Sequence, residues 1–186
     1  SILISYLLDL VFGTNYLYLE DLKILYLGSL LFYVIGFIDD LKETSAFLRL
    51  FLQILASIFV WFNGLRIDAI LVPIFNSFDH LTLLPDFVNL VFTVIFIVAS
   101  VNAVNWIDGL DGLVCGISAI SFVSIIFLNP LQIHIILVAL IGGCLAFLKY
   151  NLRPASIILG DGGSYLLGFN LASLSLINSY TNYSTS

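Results

Sequence analysis

Methionine is absent from all 186 residues, histidine and cysteine occur twice each, proline four times, and lysine plus arginine only six times. Each scarcity excludes something. Cys115 and Cys144 cannot form a disulfide framework and stand far from any metal-ligand spacing, so they read as small apolar side chains within spans. Six basic residues against twelve acidic ones leave a net charge of −6, and no nucleic-acid partner is expected. With no initiating methionine, Ser1 opens directly into an apolar run, Ile2 to Phe12, that is too short to span. The chain therefore reads as an internal piece of a longer protein, with that run as the end of a further span. A signal-peptide core is the competing reading of the run, but no basic segment precedes it.

What the chain has in abundance is apolar surface. It is 61% hydrophobic and 10% charged, with a mean hydropathy of +1.12, and a soluble fold of this length has no interior large enough to hide so much. The apolar stretches are continuous and do not alternate every second residue, so helices are expected and a membrane barrel is not. The expected fold class is all-α: a polytopic transmembrane bundle in one membrane-embedded domain over residues 1–186, with about six complete spans and one partial. Spans are placed at 22–38, 46–62, 87–105, 113–129, 131–149 and 164–178. Between Asn63 and Asp86, Pro73, Pro85, Arg66, Asp68, Asp79 and His80 argue for a loop, and Asn129-Pro130 for a tight turn on the same face.

Three aspartate clusters stand at span ends: Asp39-Asp40, the run Asn105-Trp106-Ile107-Asp108-Gly109-Leu110-Asp111-Gly112, and Gly160-Asp161-Gly162-Gly163-Ser164. Two spans separate the first cluster from the second, and two more separate the second from the third. An even number of crossings returns the chain to the same side each time, so all three belong to one face and one site. Lys42, Arg49, Lys149 and Arg153 flank that face, while Lys23 and Arg66 lie opposite, which favours the cytoplasm for the aspartates.

Each cluster has an ordinary reading and a sharper one. Asp39 and Asp40 meet the unfavourable end of a helix dipole and repel each other; they are either a solvated stop signal or half of a divalent-cation site. Asn102, Asn105, Asp108 and Asp111 recur every three residues, a polar stripe winding across the membrane edge. Asp161 to Ser164 makes a good turn and cap, but its glycines also allow close approach of a ligand to a helix N-terminus. Together the acids suit Mg2+ bridging phosphate oxygens at a membrane surface.

The segments Gly36-Phe37-Ile38-Asp39-Asp40, Arg49 with Gln53, Asn102-Ala103-Val104-Asn105-Trp106-Ile107-Asp108-Gly109-Leu110-Asp111-Gly112-Leu113, and Leu159-Gly160-Asp161-Gly162-Gly163-Ser164 with Leu167-Gly168-Phe169 resemble, in order and spacing, the polyprenyl-phosphate N-acetylhexosamine-1-phosphate transferase family, glycosyltransferase family 4. The resemblance implies transfer of a sugar-1-phosphate from a UDP-sugar to undecaprenyl phosphate with release of UMP, for cell-envelope polysaccharide synthesis. It implies Mg2+, or Mn2+ in its place, held by Asp161, Asp39 and Asp40. Asp39, Asp40, Asp108 and Asp111 would form the catalytic set, and Asn105, Asn151, Gly162 and Ser164 would bind substrate. Direct displacement and a phospho-aspartyl route both stay open. The implied partners are the UDP-sugar, the lipid phosphate, the bilayer of a bacterial plasma membrane and a second copy in a homodimer. The phospho-N-acetylmuramoyl-pentapeptide transferases are the sibling branch. A His-rich loop of that family has no counterpart here, since His80 is placed on the opposite face and His134 inside a span. A transporter or channel is the rival from another class, and would need charges spread through the membrane depth or on both faces.

The parity argument is open to labelling. Single cysteines near Glu43 and near Asn151 are expected to react with an impermeant thiol reagent from the cytoplasm, and one near Asp79 from outside; opposite labelling of the first two would break the one-face arrangement.

Overall fold

The computed structural model describes residues 19–67, 69–71, 81–128 and 134–181. The apolar start with Asp9, Asp68, the segment holding Pro73, Asp79 and His80, and the Asn129-Pro130 turn lie outside the described residues. Among the described residues there are six helices: α1 (Leu19–Lys42), α2 (Ala46–Phe62), α3 (Asp86–Ile107), α4 (Leu113–Leu128), α5 (His134–Asn151) and α6 (Gly160–Thr181). A small antiparallel hairpin, β1 (Ala69–Leu71) and β2 (Leu81–Leu83), pairs Ile70 with Thr82 where the sequence suggested only a loop.

Three helices, Lys23–Lys42, Asp86–Ile107 and His134–Asn151, are long and apolar enough to cross a membrane. Ala46–Phe62 and Leu113–Phe127 are apolar but shorter; at 1.5 Å per residue, the 17 residues of α2 reach about 25 Å. The 22-residue α6 is long but carries Asp161, Asn170 and several serines. The burial pattern is that of a water-soluble protein turned inside out, as a lipid-facing surface requires. Phe47, Phe127 and Ile120 are 87%, 84% and 70% exposed, whereas Gln53, Ser57, Thr93 and Ser173 are fully buried. His134, expected inside a span, is the half-buried first residue of α5.

α6 is the central helix. It packs against α1, α3 and α4, while α2 leans on α1 and α3, and α5 on α4. Small residues let it sink in. A Cβ on Gly36 of α1 would fall on the Asp161 carbonyl and 2.6 Å from the Gly162 nitrogen, and a Cβ on Gly168 of α6 would stand 2.7 Å from Val101 Cα. Past Gly168 along α6, Phe32 stacks on Phe169 with centroids 4.9 Å apart, and Ser29 exchanges hydrogen bonds with Asn170. Buried polar pairs of this kind are how membrane helices hold register without a hydrophobic driving force.

At the end away from the aspartates, Trp61 donates to Asn89 (2.9 Å) and the Ile67 amide to Thr93 (3.0 Å), tying the exit of α2 to the first turns of α3. At the aspartate end α1 runs on past the expected stop at Ile38 to Lys42, turns through Glu43 at φ 46°, and hands over to α2 at Ser45, whose hydroxyl accepts from the Leu48 amide.

These contacts fix the cost of a methyl group. Gly36→Ala collides with backbone and is expected to destabilise the bundle by about 1–3 kcal/mol. Gly142→Ala, where nothing lies within 4 Å, should be neutral or stabilising by up to about 1 kcal/mol. Thermal melts of both variants in detergent check the contrast; equal melting temperatures would contradict the packing.

Candidate active site

The Asp40 carboxylate, at the end of α1, caps the start of α6. Its Oδ1 accepts from the Asp161 amide at 2.8 Å and its Oδ2 from the Gly162 amide at 3.0 Å. A carboxylate on two free N–H groups at a helix N-terminus satisfies both and meets the positive end of the dipole. Gly160, at φ +71°, leads into that turn, and a Cβ there would stand 2.8 Å from Asp40 Oδ2. The sequence suggested a glycine loop with α6 beginning at 164. With Asp40 supplying the cap from another helix, α6 instead begins at Gly160, and Asp161 to Ser164 form its first turn. Two of the N–H groups expected to receive an anion are therefore already occupied.

Asp39 is turned the other way. It is 6% exposed and is bonded by the Thr44 amide and hydroxyl and by Arg49, whose Nη1 lies 2.7 Å from Oδ2. The same Arg49 nitrogen lies 3.5 Å from Asp161 Oδ2. Asn105, in the last turn of α3, donates to Asp161 Oδ1 at 2.7 Å and to the Ser164 hydroxyl at 3.0 Å. Ser164 is fully buried and donates to the Asp161 carbonyl. The three clusters thus converge at one end of the bundle, tied by four helices.

The charges there are unbalanced. Asp39 and Asp161 share one guanidinium, that of Arg49, and the charges of Asp161 and Asp40 reach Asp108. Burial, then the Asp161 and Asp40 charges, push the Asp108 carboxyl up to about 6. Burial, then its contact with Asp39, push Asp161 up to about 6, with the Asn105 hydrogen bond pulling the other way. Both groups resist ionising because burial and the neighbouring carboxylates disfavour the charged form.

Asn151 and Asp111 serve a neighbouring loop. Asn151 is 8% exposed; its Oδ1 accepts from the Gly112 amide at 2.9 Å and its Nδ2 donates to the Ile157 carbonyl at 2.8 Å. Asp111 is exposed and accepts from the Ala155 amide at 3.3 Å. Of the residues proposed to touch substrate, Asn151, Gly162 and Ser164 have their polar groups engaged within the protein. Sequence reasoning missed the role of Arg49, seen there only as a flanking charge and part of a motif, and the Thr44 cap on Asp39. Ten residues separate Arg49 from Asp39, and only the α1–α2 turn brings them together.

Among the described residues no group of three or more His, Cys, Asp or Glu is disposed to hold a metal ion. Mg2+ asks for less: one or two carboxylates, with water and substrate phosphates completing its oxygen shell. Of the three carboxylates expected to hold the ion, Asp39 is engaged by Thr44 and Arg49 and Asp40 by the first amides of α6, whereas Asp161, with Asp108 near enough to feel its charge, offers hard oxygen donors that fit that requirement.

The model of the family described as Glycosyl transferase family 4 matches residues 22–179, nearly the whole of this arrangement. The chain belongs to that family. Among family 4 relatives, the probable undecaprenyl-phosphate N-acetylglucosaminyl 1-phosphate transferase of Bacillus subtilis is 35% identical over 157 residues, 82% of this chain and 43% of the relative. The phospho-N-acetylmuramoyl-pentapeptide-transferase of Dictyoglomus thermophilum is 33% identical over 186 residues, 88% of this chain and 55% of the relative. The chain spans about half the length of these curated relatives, at 43% and 55%.

The cap on α6 can be tested directly. Asp40→Ala is expected to cost about 1–2 kcal/mol and to speed hydrogen exchange at the Asp161 and Gly162 amides selectively. Unchanged exchange at both amides would show that Asp40 does not hold them.

Proposed function

We propose that the protein transfers an N-acetylhexosamine-1-phosphate from a UDP-sugar to undecaprenyl phosphate or a similar polyprenyl phosphate, releasing UMP. The observation that carries the reading is the pair Asp108 and Asp161, both pushed up to about 6 beside Asp39 and Asp40 at one end of an apolar bundle. A diphosphate cannot approach that much negative charge unaided, and a lipid phosphate can reach it only from within a bilayer. Family membership supplies the reaction class, and the similarity to the Bacillus subtilis protein favours the N-acetylglucosamine donor.

In this reading Asp161 and Asp108 would hold Mg2+, which would supply charge neutralisation to the diphosphate. Asn105 keeps Asp161 oriented, Arg49 keeps Asp39 ionised, and Asp40 keeps the first turn of α6 in place. Asp111 and Asn151 fasten the loop of residues 152–159 against the turn after α3, which shapes the nucleotide side of the site. The phosphorus bearing the sugar gains a bond to a lipid phosphate oxygen and loses its bond to UMP. Six spans in a bacterial plasma membrane, with this end in the cytoplasm, complete the reading. The acids' position at one end, with the mid-depth Ser29 and Asn170 bonded to each other, speaks against an ion path. The 33% identity to the Dictyoglomus thermophilum protein keeps the muramoyl-pentapeptide donor as the second candidate.

Radiolabel transfer to undecaprenyl phosphate by the intact protein in nanodiscs, with UDP-N-acetylglucosamine and UDP-N-acetylmuramoyl-pentapeptide as parallel donors, distinguishes the two. Asp161→Asn, which keeps size and removes charge, is expected to lower Mg2+-dependent turnover by at least about a hundredfold with insertion unchanged. Near-normal activity and unaltered Mg2+ dependence in that variant would sink the assignment.

A further inference from the structure

One turn below the acidic cluster, α2, α3 and α6 share a polar layer to which the transfer reading gives no part. Gln53 stands one turn along α2 from Arg49 and is fully buried. Its Oε1 accepts from Asn102 Nδ2 at 2.6 Å, and Asn102 also donates to the Val98 carbonyl of its own helix at 2.8 Å. Asn102 precedes by one turn Asn105, the residue that holds Asp161, so one stretch of α3 grips both α2 and α6. Tyr165 of α6, 1% exposed, brings its hydroxyl to the Gln53 amide. Gln53 Nε2 has no other partner among the described residues.

α2 needs such a grip. It leans on α1 and α3 through a largely apolar surface, and apolar surface sets no height for a helix in a bilayer. Trp61 bonds Asn89 at the far end of α2, which leaves Gln53 as the anchor next to Arg49. That anchor bears on how Arg49 divides itself between two carboxylates. Its Nη1 lies 2.7 Å from Asp39 Oδ2 and 3.5 Å from Asp161 Oδ2. Asp39 is already bonded by the Thr44 amide and hydroxyl, whereas the closest donor to Asp161 is the neutral Asn105 amide. Charge alone would draw the guanidinium toward Asp161, where a closer Arg49 would compete with any cation for the same oxygens.

We infer that Gln53 is a positioning residue for Arg49: bonded to Asn102 on α3 and set against Tyr165 on α6, it holds α2 at the height where the guanidinium stays on Asp39 and leaves Asp161 open to a divalent cation. The cation part rests on the transfer reading above. The placement of Arg49 does not.

The test is Gln53→Met in the intact protein in nanodiscs, since methionine keeps the length of the side chain and removes both polar atoms, while Asn102 retains its bond to Val98. A high-resolution density map of the variant is expected to show Arg49 drawn to within about 3 Å of Asp161, closer than in the unsubstituted protein. The Mg2+ concentration that half-maximally raises the melting temperature should increase about tenfold. With both substrates present, kcat should fall at low Mg2+ and return to within about twofold at saturating Mg2+, with KM for the UDP-sugar unchanged. A merely loosened bundle would not recover in that way. In an Arg49→Gln background the same substitution should leave the Mg2+ midpoint where it was, because the competing cation is gone. If Gln53→Met does not insert, Tyr165→Phe, which removes one hydroxyl, should shift the midpoint in the same direction by a smaller factor. If Mg2+ fails to stabilise even the unsubstituted protein, the metal reading falls and the Arg49 to Asp161 distance in the density decides the placement. An unmoved Arg49, an unchanged Mg2+ midpoint, or a shift that persists without Arg49 would overturn the inference.

Discussion

The cap that Asp40 places on the first turn of α6 is the contact on which the rest of the site depends. It resolves two unfavourable ends at once. A carboxylate at the C-terminus of α1 opposes its own helix dipole, and a glycine-rich first turn in α6 has little propensity to start a helix. Brought together, the negative group lies on the free N–H groups, with Oδ1 and Oδ2 2.8 and 3.0 Å from the Asp161 and Gly162 nitrogens. The geometry requires α1 and α6 to touch backbone to backbone at Gly36, and it sets the height of Asp161 relative to Asn105 and Arg49. Asp161 is thus placed by a different helix from the one it belongs to.

Charge balance follows from that placement. Arg49 gives its closer contact, 2.7 Å, to Asp39 and only 3.5 Å to Asp161, which leaves Asp161 and Asp108 short of positive charge. Both carboxyls bind a proton more tightly folded than unfolded, since each is pushed from 3.8 to about 6. A raised carboxyl pKa makes folding less favourable as the pH climbs from 3.8 through 6, and the penalty is present in full at neutral pH. A cation held at these two groups would offset that penalty, so the same electrostatics would favour its binding.

The middle of each helix was legible in the sequence, and the ends of α1 and α6 that meet at the aspartate face were not. Ala46 to Phe62 matches α2 residue for residue, because an apolar run broken only by Arg49, Gln53 and Ser57 needs no partner to declare itself. The expected stop at Ile38 and start at Ser164 both fell four residues short, since the helices run to Lys42 and from Gly160. Both errors have one cause: Asp39, Asp40 and Asp161 look like helix breakers until Thr44 and Arg49, the first turn of α6, and Asn105 at the end of α3 are seen to satisfy them. Crossing parity placed the three clusters on one face without any such knowledge, and their side chains do meet. What parity could not supply was the division of labour. Asp39 and Asp40 appeared equivalent as neighbours in sequence, yet on successive helical positions they point about 100° apart, one to Arg49 and one to the start of α6. Asn151 looked like a substrate ligand, but both ends of its amide hold backbone.

Helix packing and electrostatics are therefore the same constraint at this site. A slip of α6 by one residue along α1 moves its first turn by about 1.5 Å, enough to break hydrogen bonds of 2.8 and 3.0 Å to Asp40 and to carry Asp161 away from Asn105. Register in a membrane bundle cannot come from burying apolar surface, because lipid offers the same surroundings as a neighbouring helix. Here it comes from pieces that fit in one position only: Gly36 under the Asp161 carbonyl, Phe32 on Phe169, Ser29 with Asn170, and Gly168 against Val101. These lie along the length of α6, the deepest of them far from the acids. Their function is nonetheless electrostatic, because together they hold two under-compensated carboxylates at fixed height where a divalent ion and a diphosphate could meet them.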